Sequence, residues 1–140
     1  MKSSKSKGGT TELPVSFADV QRAAETVKGA VINTDFDVSR TLGEMFGAEV
    51  WLKFENLQFT AAYKERGALN KLSSLTKKER SCGVIAMSAG NHAQGLSYHG
   101  TRLGIPVTIV MPRTTPTVKV MQTEQVGGKI ALGSSADVDK

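Results

Sequence analysis

Residues 83–95 read GVIAMSAGNHAQG. The opening GVIAMS is a short, nearly continuous apolar run, the pattern of a strand covered on both faces. Ala89, Gly90 and Asn91 then break the run, and from about His92 to Leu103 the chain reads as a helix that Gly104 and Pro106 end. Beyond it VTIVM is a second buried strand. Thr115 to Val126 reads as a helix closed by Gly127 and Gly128, and KIAL is a third strand. Strand, helix, strand, helix, strand in short connections is the order of a doubly wound parallel sheet. The α/β class rests on this stretch.

Toward the N-terminus the pattern is mixed. Ser16 with Asp19 three residues later has the form of a capping box, and Phe17, Val20, Ala24 and Val27 recur at helical spacing up to Gly29. TDFDVSRTL reads as a loop. Ser39 caps a short helix carrying Leu42, Met45 and Phe46, which Gly47 stops. Val50, Leu52 and Phe54 alternate with Trp51, Lys53 and Glu55, a strand with one apolar face. Residues 53–69, KFENLQFTAAYKERGAL, run from that strand through a loop of small residues into a helix start. Ala68, Leu69, Leu72 and Leu75 line one face of that helix, and the polar residues 76–79 close it.

A chain of 140 residues has room for one domain and buries roughly 70% of its unfolded surface. Its 39% hydrophobic and 22% charged content is that of an ordinary soluble globular protein. The net charge of +5 is spread along the chain, and only 6% of residues are aromatic, so the basic, aromatic-interleaved stripe of a nucleic-acid binder is missing. The single cysteine, Cys82, has no internal disulfide partner and no zinc-ligand companions, and reads as a small buried or edge residue. His92 and His99, seven apart, do not share the i, i+4 spacing of paired metal ligands, so no metal site is expected. Residues 1–12, opening MKSSKSKGG, read as a disordered tail without the apolar segment of a secretory signal. No apolar run approaches the length that spans a membrane. A cytoplasmic, reducing setting is the default expectation.

Two loops carry chemistry. In open parallel sheets ligands sit beyond the carboxyl ends of the strands. Ser88, Ala89, Gly90, Asn91 and His92 lie at that edge and lead into a helix N-terminus, where free N–H groups and the helix dipole suit a carboxylate or phosphate. Gly90 allows close backbone approach. Asn91 offers a donor and an acceptor for a group such as a phenolate oxygen, or it simply caps the helix. The loop lacks GxGxxG spacing, so a dinucleotide site is not supported. The second loop delivers Lys64, flanked by Tyr63 and Arg66. Lysines at helix starts are usually solvated. Here the preceding Phe59, Thr60, Ala61 and Ala62 are apolar or small, and desolvation together with the positive helix end disfavours the ammonium form. A neutral amine is what Schiff-base chemistry needs.

With both loops placed, the sequence resembles the pyridoxal-phosphate enzymes of fold type II (tryptophan-synthase-β-like), and within them the threonine (serine) dehydratases. The carrying residues are KFENLQ from Lys53, TAAYKERGA from Thr60 and SAGNHAQG from Ser88, with GIP from Gly104. The resemblance implies pyridoxal 5'-phosphate as cofactor, held covalently by Lys64, which also shuttles the Cα proton. It implies that Asn91 holds the cofactor's 3′ oxygen and that Tyr63, beside the lysine, also binds the cofactor. Ser88, Ala89, Gly90, Asn91 and His92 cradle the carboxylate of a small amino-acid substrate, largely through backbone N–H groups. The implied reaction is β-elimination of the hydroxyl from L-threonine or L-serine, giving a 2-oxo acid and ammonia, in amino-acid metabolism that includes isoleucine biosynthesis. No nucleic acid or membrane partner is implied, and the full-length enzyme is expected to be a homo-oligomer.

The same motifs discriminate within the fold. A sulfhydrylase-like or threonine-synthase-like member is expected to read GNT here, and a serine racemase to carry a second serine where Ala89 stands. Ala89 has no proton to return to the opposite face. The chain departs from the family's Ser-Phe before the lysine, reading Ala62 and Tyr63. It also lacks the glycine-rich phosphate cup and the residue facing the pyridine nitrogen. Residues 13–140 are therefore expected to be the N-terminal part of a longer catalytic domain, an incomplete doubly wound sheet. The strand from Val50 to Phe54 should then leave its apolar face exposed. The competing class is an inactive truncated product with only an interaction role.

Overall fold

The computed structural model describes residues 14–133; the tail expected over residues 1–12 lies outside them. Two sheets are present among the described residues. One is a parallel sheet of β3 (Val84–Met87), β4 (Val107–Pro112) and β5 (Lys129–Gly133), in that order. Two helices make its crossovers, α5 (Asn91–Leu103) and α6 (Thr117–Gln125), as the alternation predicts. Register pairs Val84 with Val107 and Ile109 with Ile130. α5 packs on β4 and on α6, and α6 on β5. The close fit of α5 on the sheet depends on Gly100, where a Cβ would collide with the Val107 side chain.

The core is the seam between this sheet and its helices. Leu72, Ala93, Ile109 and Met111 are shut off from solvent, with Ala68, Leu96, Ile105 and Val107 around them. Leu72 and Ala68 come from α3 (Lys64–Ser73), whose principal neighbour is α5. The expectation that β3 is covered on both faces is corrected. Val84 and Ala86 pack inward, but Ile85 and Met87 stand on the other face at 71% and 59% exposure. An apolar run signals a strand; only neighbouring elements decide how many of its faces are covered. β4 is the better enclosed strand, with Val107, Ile109 and Met111 buried and Thr108 and Val110 half-buried.

The N-terminal half holds a second, two-stranded sheet. α1 (Phe17–Val27) begins with the expected capping box between Ser16 and Asp19. The segment read as a loop contains β1 (Phe36–Val38), which pairs antiparallel with β2 (Trp51–Lys53) around the expected short helix α2 (Arg40–Phe46). Three residues give too short an alternation to be read as a strand; the pairing and the Phe36–Trp51 ring stack at 5.2 Å make it one. Leu52 and Phe54 are half-buried, in place of the open apolar face expected. Residues 76–82 do not merely close α3. Thr76 and Glu79 form a capping box for a separate helix, α4 (Lys77–Cys82), which leaves Cys82 exposed at its end and rules out the buried one of the two readings.

Candidate functional site

The loop that carries Lys64 is anchored before it begins. Phe54 donates its N–H to the Asp35 carbonyl, and the Lys53 ammonium reaches the Thr34 carbonyl. A single 3-10 turn over Glu55–Leu57 then aims Glu55 inward. Its carboxylate accepts two bonds from the Arg66 guanidinium, at 2.7 and 2.8 Å, and one from the Thr34 hydroxyl at 2.8 Å. This fork–fork pairing is the strong, geometrically specific form of ion pair. Arg66, with Thr34 and Gln58 assisting against the cost of burial, holds the Glu55 carboxyl down to about 2. The buried Gln58 side chain bonds both backbone groups of Ile32, at 2.9 and 2.8 Å, as a neighbouring strand would. Three stretches of chain meet at this brace: the segment after α1, the 3-10 turn, and the first turn of α3.

Between Gln58 and Lys64 the chain is held to α5 instead. The Phe59 ring stacks on Tyr98 at 5.3 Å, Ala62 is buried, and the Thr60 N–H donates to the Glu65 carboxylate. Ala61 sits at φ 54°, in the left-handed region that a side chain disfavours, three residues before Lys64. α3 then begins at Lys64 without a side-chain cap. Lys64 is exposed, its Nζ 5.1 Å from the centre of the Tyr63 ring, so the enclosure expected of the small-residue loop is not present among the described residues. Phe59 stacks on α5 and Ala62 is buried, while Ala61, Tyr63 and Lys64 lie on the exposed side.

The second loop leaves the carboxyl end of β3. Ser88 still donates its N–H to the Val110 carbonyl, and its hydroxyl accepts from the Gly90 N–H at 3.3 Å. Gly90 is the N-cap of α5 and supplies no capping side chain; Asn91 is the first helical residue and is exposed, as is His92. The reading of Asn91 as the helix cap is thus corrected. Ser88, Ala89 and Gly90 are half-buried, and the space beside Gly90, where a Cβ would stand, is open among the described residues. An uncapped helix start of this kind presents unsatisfied N–H groups and the positive end of its dipole.

The two loops meet through Gly95. A Cβ there would stand 3.2 Å from the Glu65 N and 3.4 Å from the Lys64 carbonyl carbon, so the start of α3 lies directly on the second turn of α5. One turn further on, His99 is fully buried with its Nε2 3.6 Å from a carboxylate oxygen of the equally buried Glu65. Burial pushes the His99 imidazole below its ordinary value; Glu65 opposes that shift and Arg102 adds to it. His92, by contrast, stands exposed two turns away. Glu55, Gln58, Glu65 and Arg66 lie within the two motifs, but nothing in their local sequence marks the bonds they make. Glu65 and His99 in particular carry no local sign of burial.

Residues 27–139 match the family described as pyridoxal-phosphate dependent enzyme. The L-threonine ammonia-lyase of Thermotoga maritima is 44% identical over 118 residues, covering 84% of this chain and 29% of that protein. Among solved structures, the processed form of threonine deaminase isoform 2 from Solanum lycopersicum superimposes with a TM-score of 0.72 at 31% identity, over 86% of this chain and 36% of its own. Serine racemase from Dictyostelium discoideum gives a TM-score of 0.79 at 32% identity, over 84% and 38%. The chain therefore spans about a third of the length of such relatives. The start of α3, with its exposed Lys64, packs on the helix that opens uncapped after β3, and by the match over residues 27–139 the chain belongs to the pyridoxal-phosphate dependent enzyme family.

Proposed function

We propose that the protein of which this chain is a part removes the hydroxyl and the amino group of L-threonine or L-serine, releasing a 2-oxo acid and ammonia. The packing of the Lys64–Glu65 backbone on Gly95 carries this reading, because it ties the amine to the helix that opens with the Ser88–His92 loop. The donor set suits pyridoxal phosphate: a solvent-open primary amine, a neighbouring aromatic ring, an amide side chain, and an uncapped helix N-terminus. When bound, that cofactor supplies an electron sink for the bond broken at Cα. Lys64 Nζ would hold it and move the Cα proton. Asn91 would hold its 3′ oxygen, and Tyr63, beside the lysine, would also bind it. The carboxylate of the amino acid is received by Ser88, Ala89, Gly90, Asn91 and His92, mainly by N–H groups at the start of α5.

Elimination is favoured over racemisation by Ala89. Its half-buried methyl group, next to Gly90, has no proton to deliver to the second face of Cα. The enzyme is proposed to work as a homo-oligomer in the cytoplasm without nucleic-acid or membrane partners, in amino-acid metabolism, isoleucine biosynthesis included. The exposed free thiol of Cys82 fits a reducing compartment, and no described helix is long and apolar enough to cross a membrane. The test is to express the protein from its full reading frame and supply L-threonine, L-serine and pyridoxal phosphate. Equal amounts of 2-oxo acid and ammonia are expected, falling about 1,000-fold in Lys64→Ala. D-serine in excess of pyruvate, or undiminished turnover in Lys64→Ala, overturns the reading.

A further inference from the structure

We propose that Glu65 and His99 form a buried acid–base pair, with one proton between them, that clamps the loop over residues 58–63 to α5 and so positions the Lys64 amine. The role rests on the reading of Lys64 given above; the pair itself does not. Both side chains are fully buried, and Glu65 Oε2 lies 3.6 Å from His99 Nε2. Among the described residues neither of these two atoms has a protein hydrogen-bond partner at shorter range. A lone carboxylate or a lone imidazolium in that position costs several kcal/mol of desolvation. The states that fit place one proton between the two atoms: a carboxylate accepting from the Nε2–H of imidazole or imidazolium, or a carboxylic acid donating to Nε2.

The other carboxylate oxygen gives the pair its reach. Glu65 Oε1 accepts the Thr60 N–H, five residues back and in the loop itself. Glu65 thus ties three points together: the α3 backbone directly after Lys64, the loop at Thr60, and α5 at His99. Helical spacing makes this possible from the α5 side. Gly95 and His99 are four apart and share a face, so the missing side chain of Gly95 admits the Glu65 backbone while His99 meets its carboxylate. Tyr98 adds to the clamp, with Phe59 stacked on its ring and the His99 ring edge-on at 4.9 Å. The charged groups bearing on the pair are Arg66 from α3 and Arg102 from α5. The loop contributes only the Thr60 hydroxyl and amide nearby, and β4 carries no titratable residue.

The test uses the protein expressed from its full reading frame, with its histidines labelled with nitrogen-15. Glu65→Gln keeps size and removes the shared proton; His99→Gln removes the other partner and leaves the Thr60 bond in place. Three quantities are read: the ring-nitrogen shifts of His99, hydrogen exchange of the Thr60 amide, and covalent modification by pyridoxal phosphate trapped with borohydride. The last is taken as the ratio of Lys64 to Lys71, an exposed lysine on the same helix. Glu65→Gln is expected to move the His99 ring signals and to speed Thr60 exchange about fivefold, since the loop is then tied to α5 less tightly. Both variants should lower the Lys64 to Lys71 ratio several-fold. Should Glu65→Gln fail to fold, His99→Gln still tests the ratio. Unmoved His99 signals in Glu65→Gln overturn the pair, and an unchanged ratio in every folded variant overturns its positioning role. A wild-type chain in which Lys64 is modified no faster than Lys71 overturns the functional reading of Lys64, and the positioning role with it, while the His99 signals still decide whether the pair exists.

Discussion

The parallel sheet and the loop that carries Lys64 are held by different forces. Around Ile109, Met111 and Leu72 the contacts are apolar and nondirectional, spread over α3, α5 and the strands. Around Lys64 they are few, polar and directional: the Glu55–Arg66 fork, the Gln58 amide on Ile32, and Glu65 between Thr60 and His99. Apolar packing makes a stable slab and places backbone to within its own tolerance. Directional bonds make a site, because each one sets an angle as well as a distance. On the proposed reading of Lys64, the sheet acts as the support and the polar brace as the part that aims the amine.

Substitutions that strike one region at a time should separate these contributions. The largest effect is expected from Leu72→Ala, which opens a cavity under α3 and should lower unfolding stability by about 2–5 kcal/mol in urea titration, at any pH in the neutral range. A loss below about 1 kcal/mol would mean that the slab can collapse into the gap. Glu55→Gln should cost less and depend on pH. Because the folded carboxyl is held at about 2 against an ordinary 4.5, its contribution is complete above pH 4.5 and is lost as pH falls toward 2. The cost at neutral pH should be about 2 kcal/mol, allowing for screening at the half-exposed Arg66. Melting curves of the two proteins from pH 7 down should converge on acidification; parallel curves would remove the ion pair from the account. Ala61→Gly should have the smallest effect, a gain of about 0.5 kcal/mol as left-handed strain is relieved and part of that gain is returned to the more flexible unfolded chain. A loss of stability there would place the loop's rigidity in the alanine side chain.

The two regions also differed in how far they could be read from the residues alone. The strand–helix alternation from Val84 onward, the caps at Ser16 and Ser39 and the stop at Gly47 all appear where the pattern puts them. β1 and α4 did not declare themselves, the first because three residues make no period, the second because its polar residues resemble the end of the preceding helix. Of the site, the lysine and the Ser88–His92 loop were legible as motifs at a sheet edge. Which residue caps α5, which side chains of β3 face solvent, and which way Lys64 points were not.

The physical reason is range. Hydrophobic period, helix caps and turn glycines are written within a few neighbouring positions, so the sequence by itself determined the order of the elements from Val84 onward, the parallel α/β class and the position of the two candidate loops. The bonds that aim Lys64 join residues far apart in the chain: Glu55 to Arg66 over 11 positions, Gln58 to Ile32 over 26. Glu65 and His99 look, one at a time, like any solvated charge and any helical histidine. Only the packing of α3 on α5 across Gly95 buries both and brings them face to face.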